Sequence, residues 1–306
     1  MLTNLLSLYI ASVIQENSPP LFGGNSQSTP AIIKTTGSNL SDLESGNSIP
    51  VKNPEFLSPT IKAKSGIAID IETGMILFEK NPHDRLAIAS LTKLMTATII
   101  VEENNLEEII TISKNASQTG GSTMFLKAGE KISVKNLLYG ILIHSANDAA
   151  TALAEHNAET IEEFVKKMNK KALALGLLNT KFSNPMGFDN LNNYSSSYDL
   201  AKLSKYAYQK KIIKEIAQIK TTKVYSSDGN YMHKLESTLQ DILKVDFIKF
   251  KGLKTGTTDQ AGLCIISIAE NENENEILMV LLNSPERFRE AKILADWIFR
   301  AYNWQR

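Results

Sequence analysis

At 306 residues with 42% hydrophobic positions, the chain is long enough to bury a substantial core as one large domain or two subdomains. Lysine plus arginine equals aspartate plus glutamate at 33 each, so charge draws it neither to nucleic acid nor to an anionic membrane surface. The single cysteine, Cys264, excludes an internal disulfide, and His83, His144, His156 and His233 show no metal-ligand spacing, so no metal or other cofactor is expected.

Leu2 to Ile14 is mostly apolar, without lysine or arginine, and too short for an ordinary membrane span. It reads as a signal h-region or an anchor, residues 1–14. Residues 15–62 are dominated by Ser, Asn, Pro, Gly and Thr, a composition that does not bury enough apolar surface to order itself. A tether leading to a folded domain over 63–306 is expected.

From Ser65 the text turns β-rich on both sides of Glu72-Thr73-Gly74, which predicts a hairpin. Between about 90 and 210 it is helical: Leu91 to Glu103, Val134 to His144, Asp148 to His156, Ile161 to Leu175 and Tyr198 to Tyr208 carry helical periodicity. A β-like run follows at Val245 to Phe250, then two more at Ala261 to Ala269 and Ile277 to Asn283, parted by the polar repeat Asn271 to Glu276. Ser284 as N-cap, Pro285 in the first turn and the stripe Ala291, Leu294, Ala295, Ile298 and Phe299 predict a last helix over Arg287 to Tyr302. Strands first and last with helices between imply an α+β fold: an antiparallel sheet flanked by helices, with an inserted helical subdomain and a cleft at its boundary.

Three short motifs stand out. Ser90-Leu91-Thr92-Lys93 places Ser90 at a helix start, where free N–H groups and the positive dipole end favour a nucleophile. Lys93, one turn on, lies on the same face, and a buried lysine near other cations has a lowered pKa and acts as a base. Alone, the pair would be an N-cap serine and a solvated lysine. Ser145-Ala146-Asn147 falls between two helical runs, where Ser145 is suited to relay a proton and Asn147 to hold a peptide amide. Lys254-Thr255-Gly256-Thr257 follows a β-like run; Gly256 would let a substrate backbone approach, and Lys254 offers a fixed charge to a carboxylate or to Ser145. Together they supply nucleophile, base, relay, amide clamp and cation without a histidine, the Ser–Lys variant of serine acyl transfer.

This motif set is shared by class A β-lactamases and penicillin-binding proteins, and over about residues 63–303 the chain resembles low-molecular-mass penicillin-binding proteins of the D-alanyl-D-alanine carboxypeptidase family. Agreement extends to Ala89 through Ala97, Ser145 through Ala150, Asn184-Pro185-Met186-Gly187 and Gly252 through Thr258. The resemblance implies a β-lactamase/transpeptidase-like fold, export, peptidoglycan stem peptides as substrate and β-lactam antibiotics as covalent inhibitors. It also implies an oxyanion hole from the backbone N–H groups of Ser90 and Thr257, with Arg287 as a supporting charge for the substrate carboxylate.

Two features depart from the family pattern. The chain stops at Arg306, as in a shorter subgroup that includes endopeptidases, and Leu239 to Leu243 replaces an Asn-rich stretch before Lys-Thr-Gly. A DD-endopeptidase acting on cross-links is therefore the alternative. A β-lactamase is disfavoured, because the Glu-bearing loop about 35 residues after the second motif in class A enzymes has no Glu in the matching stretch Asn179 to Asp189. A non-catalytic peptidoglycan- or β-lactam-binding module is disfavoured because every chemical residue is present.

Overall fold

The structure, a computed structural model, describes residues 49–239, 242 and 248–305. The apolar 1–14 segment and the tether as far as residue 48 lie outside the described residues. The boundary expected at 62 falls inside the folded chain. Ile49–Lys52 (β1) pairs antiparallel with Tyr302–Gln305, and Ile61 and Ala63 are buried. Ladder hydrogen bonds, which carry no compositional signature, order a stretch whose side chains read as linker.

Ser65–Asp70 (β2) and Ile76–Lys80 (β3) form the expected hairpin. Its turn is closed by Asp70 Oδ1, which accepts from Thr73 N at 2.7 Å and Thr73 Oγ1 at 2.6 Å. Leu86–Ala87 (β4) leads into a 3-10 turn, Ala89–Thr92, which runs into Lys93–Glu103 (α1). Every residue of α1 from Lys93 to Ile100 is buried, the mark of a helix enclosed on all sides. Ile109–Thr111 (β5), Lys114–Ser117 (α2) and Lys131–Ser133 (β6) form a short ribbon with a helical turn. Val134–Ile143 (α3), Asn147–Ala158 (α4) and Ile161–Ala174 (α5) follow. Ser133 caps α3 by accepting from Asn136 N, and Thr160 caps α5 by accepting from Glu163 N.

Tyr194–Ser195 (β7) pairs with β4, and Ser197–Tyr208 (α6) and Lys211–Ala217 (α7) complete the helices. Thr221–Tyr225 (β8) and Met232–Glu236 (β9) make a hairpin not foreseen from composition. Lys249–Thr258 (β10), Gly262–Glu270 (β11) and Glu276–Ser284 (β12) return to the sheet, followed by Arg287–Ala301 (α8) and Tyr302–Gln305 (β13). Most of the run expected from Val245 lies outside the described residues; the strand begins at Lys249. Ser284 closes β12 instead of capping α8, whose N-cap is Glu286. The Ser284 hydroxyl donates to Glu290 Oε2 at 2.5 Å, which ties the strand end to the first turn of α8.

The main sheet runs β10-β11-β12-β2-β3, all antiparallel, so both ends of the chain build it and α1 to α7 lie between them in sequence. Alternation along the strands divides the core in two. Ile67, Ile266, Ile268, Leu278, Val280 and Leu282 join the helical side with α1. Ala68, Ile265, Ile277, Met279 and Leu281 face α8 through Ala291, Leu294 and Ile298. Burial on both faces explains why these strands read as continuous apolar runs.

Candidate active site

Ser90 sits in the 3-10 turn, half-buried, with Lys93 opening α1. Lys93 is 0% exposed. Its Nζ contacts Ser90 Oγ at 2.9 Å, Asn147 Oδ1 at 2.7 Å and Met186 O at 2.7 Å. Asn147 Oδ1 and Met186 O can only accept. A neutral amine therefore gives them its two hydrogens and turns its lone pair to the Ser90 hydroxyl. Burial holds Lys93 well below the ordinary lysine range, the Lys254 charge acts in the same direction, and Asp148 opposes both.

The Ser90 turn fits under two glycines. A Cβ on Gly187, whose φ is +93°, would lie 2.0 Å from Ala89 O and 2.9 Å from Ser90 N; one on Gly256 would lie 2.8 Å from Ile88 O and 3.2 Å from Ser90 N. Gly256 thus makes room for the protein's own Ser90 backbone, where a substrate backbone was expected. A side chain there would crowd the Ser90 N–H. Asn184 Oδ1 accepts from Gly187 N at 2.6 Å and Phe188 N at 3.0 Å, shaping the turn that presents Met186 O.

Ser145 follows the end of α3 with φ 61°. Its hydroxyl accepts from Lys254 Nζ at 2.9 Å, and the same ammonium reaches Thr255 O at 3.0 Å. Lys254 is 0% exposed; burial first and the Arg287 charge second bring it down to about 7. Of the two acceptors left open in the sequence, carboxylate or Ser145, the structure pairs Lys254 with Ser145. Asn147, the first residue of α4, is held by Gly120 O, which accepts from its Nδ2 at 2.8 Å.

At the end of β10, Thr257 is exposed, and its hydroxyl accepts from Arg287 Nη1 at 2.7 Å. Arg287 Nη1 also reaches Gly256 O at 2.9 Å. Thr255, the other residue of the motif expected to bind substrate from the strand edge, is buried and gives its hydroxyl to Thr238 Oγ1 at 2.6 Å. Hydrogen bonds thus join Ser90, Lys93 and Asn147 in one set and Ser145 and Lys254 in another, and β10 lies against the Ser90 turn at Gly256. Met186 O, Gly187 and Gly120 O also belong to this arrangement. Backbone carbonyls leave no sequence signal, although Gly187 and the Gly120-Gly121 pair mark two of these positions. Such a site can activate a serine hydroxyl, hold an amide and place a cation beside a carboxylate.

The sequence profile of the D-alanyl-D-alanine carboxypeptidase family matches residues 52–285. D-alanyl-D-alanine carboxypeptidase DacF of Bacillus subtilis is 38% identical over 255 residues, covering 79% of this chain and 63% of that protein. The D-alanyl-D-alanine carboxypeptidase of Streptomyces sp. strain K15 is 31% identical over 247 residues, covering 76% of this chain and 85% of that protein. The crystal structure of the Streptomyces K15 DD-transpeptidase is similar at a TM-score of 0.73 and 28% identity, covering 80% of this chain and 99% of that one. DacA of Haemophilus influenzae, 33% identical, also extends beyond the match, and the chain spans 63% of its length, as it does of DacF.

Proposed function

The chain belongs to the D-alanyl-D-alanine carboxypeptidase family, and from that premise we propose that it is a serine-type D-Ala-D-Ala carboxypeptidase acting on peptidoglycan stem peptides through an acyl-enzyme on Ser90. The observation that carries this reading is the hydrogen-bond set of Lys93, which leaves a neutral amine one lone pair, aimed at Ser90 Oγ 2.9 Å away.

The Ser90 proton passes to Lys93 as Oγ bonds to the carbonyl carbon of the penultimate D-alanine. The oxyanion lies against the backbone N–H groups of Ser90 and Thr257. Collapse breaks the C–N bond, and the departing amine takes up, through Ser145, the proton that Lys93 had received; Lys254 orients the Ser145 hydroxyl. Water then attacks the ester carbonyl and gives a proton to the again neutral Lys93, and as the C–Oγ bond breaks Lys93 returns that proton to Ser90 Oγ. Asn147 steadies the substrate amide, while Thr257, backed by Arg287, receives the terminal carboxylate. β-Lactam antibiotics, with an amide carbonyl and a carboxylate in the same relation, acylate Ser90.

Peptidoglycan places the work outside the cytoplasm, with Leu2 to Ile14 serving export or anchoring. Among the described residues no helix is long and apolar enough to cross a membrane. Incubation with defined muropeptides and mass analysis tests the reading: release of one D-alanine from pentapeptide stems is expected. Cleavage confined to cross-linked dimers would replace it with the endopeptidase reading. Unchanged labelling of Ser90→Ala by a fluorescent penicillin would overturn the nucleophile itself.

A further inference from the structure

The segment between α2 and β6 carries none of the three motifs, yet it holds Asn147 in place. Gly120 O accepts from Asn147 Nδ2 at 2.8 Å and Ser122 O accepts from Asn147 N at 2.7 Å. With Nδ2 so engaged, the Asn147 amide turns Oδ1 to Lys93 Nζ. A Cβ on Gly121 would lie 2.6 Å from Asn147 Nδ2, so only glycine permits this approach.

Two buried charged side chains grip the same segment a few residues on. Asp148, 1% exposed, accepts from Met124 N at 3.1 Å and from Leu126 N at 3.0 Å. His233 of β9, 6% exposed, contacts Met124 O through Nδ1 and Glu130 Oε1 through Nε2, each at 2.7 Å. Glu130 Oε2 in turn accepts from Lys127 N at 3.0 Å. The residue Met124 is therefore held at its N–H by Asp148 and at its carbonyl by His233. Phe125 beside it is driven to φ 64° and left exposed, a conformation disfavoured for a bulky side chain and kept only where the surroundings over-determine it.

Met124 O can only accept, and with Glu130 as a carboxylate both ring nitrogens donate, which makes His233 an imidazolium. Burial opposes that charge, but the hydrogen bond and charge of Glu130, the Met124 carbonyl and the Asp148 charge outweigh it and raise the His233 pKa. As pH rises through that raised value the imidazolium loses a proton; its one remaining N–H stays with the charged Glu130 acceptor, and the Met124 carbonyl loses its donor.

We propose that Asp148 and His233 are positioning residues that clamp Met124 between them and so fix the Gly120–Ser122 backbone that turns Asn147 toward Lys93. This rests on the reading of Ser90 and Lys93 as the acylating pair. Acylation then requires a neutral Lys93 and a protonated His233, so its pH profile has a rising limb and a falling limb.

The test uses the full chain with Glu130→Gln, which keeps an acceptor for Nε2 and removes the charge, and His233→Gln, which removes the titration. Acylation by a fluorescent penicillin is followed across pH, with amide exchange of residues 120–126, corrected for intrinsic rates, measured in parallel. In Glu130→Gln the falling limb moves to lower pH by roughly one unit, and in His233→Gln it disappears while the plateau rate drops roughly tenfold. Exchange protection of the Met124 and Leu126 amides falls with His233 deprotonation in the unaltered chain. A falling limb unmoved in Glu130→Gln, or protection indifferent to His233, would overturn the proposal. Because amide exchange needs no acylation, absence of Ser90 labelling would count against the enzymatic reading and leave the clamp to be judged by exchange alone; a His233→Gln chain that fails to fold leaves Glu130→Gln to decide.

Discussion

Lys254 donates to the Ser145 hydroxyl at 2.9 Å, joining two residues 109 positions apart at a point where the backbone of Ser145 stands at φ 61°. Glycine is the usual residue in this left-handed position after a helix. A serine there is strained, and its hydroxyl accepts from the buried Lys254, whose charge also helps to lower the Lys93 pKa. The strain marks Ser145 as a candidate functional side chain independently of the motif in which it was first read.

Replacing Ser145 by Gly relieves the backbone and by Ala does not, while both remove the hydroxyl. The Gly variant should be more stable than the Ala variant by about 1 kcal/mol, with acylation lost in both. Thermal midpoints and penicillin labelling check the pair. An Ala variant at least as stable as Gly would mean that the left-handed backbone carries no strain.

In the proposed mechanism Lys93 must be neutral to take the Ser90 proton. Burial and the Lys254 charge both lower its pKa, so deprotonation comes within reach well below the free-lysine value of about 10.4. The rate of Ser90 acylation should rise with pH along that titration. Lys93→Arg keeps the charge and cannot deprotonate; it should be nearly inactive at every pH. A fully active Arg variant would remove Lys93 from the role of base.

The sheet, the helical insertion and the convergence of Ser90, Lys93, Ser145, Asn147 and Lys254 were legible because each rests on side-chain pattern. Strand alternation separates Ile67 from Ala68 onto opposite faces, and helical spacing brings Lys93 one turn from Ser90. What stayed hidden is carried by backbone. The Met186 carbonyl that completes the Lys93 hydrogen-bond set is available on any residue, and β1 pairs through peptide groups in a stretch whose composition reads as tether. The Ser284 hydroxyl gave a false start for the last helix, because the same serine–proline text also suits a strand end that bonds Glu290.

Gly187 has a φ of +93°, and its absent Cβ is the space into which Ala89 O projects, 2.0 Å from where that carbon would be. Gly187→Ala therefore strains the backbone and displaces the Ser90 turn together. A loss of about 2 to 4 kcal/mol in unfolding free energy is expected, with acylation reduced even where the variant remains folded. Urea unfolding and Ser90 labelling at low temperature separate the two effects. Unchanged labelling would show that the turn tolerates the shift.

Thr257 tests recognition of the free carboxylate, which a carboxypeptidase needs and an endopeptidase does not. Its hydroxyl is exposed at the end of β10 and accepts from Arg287 Nη1 at 2.7 Å, so its own proton is free to point toward a substrate anion. Thr257→Val keeps the backbone N–H proposed for the oxyanion and removes only the hydroxyl. A hydrogen bond to a charged group contributes roughly 1.5 to 3 kcal/mol, so kcat/KM on a free-carboxylate peptide should fall about ten- to a hundredfold. On the amidated analogue the loss should be much smaller, because the anion that the hydroxyl would meet is gone. Equal losses on both substrates would place the effect in general positioning of the strand and shift the balance toward cleavage of internal cross-links.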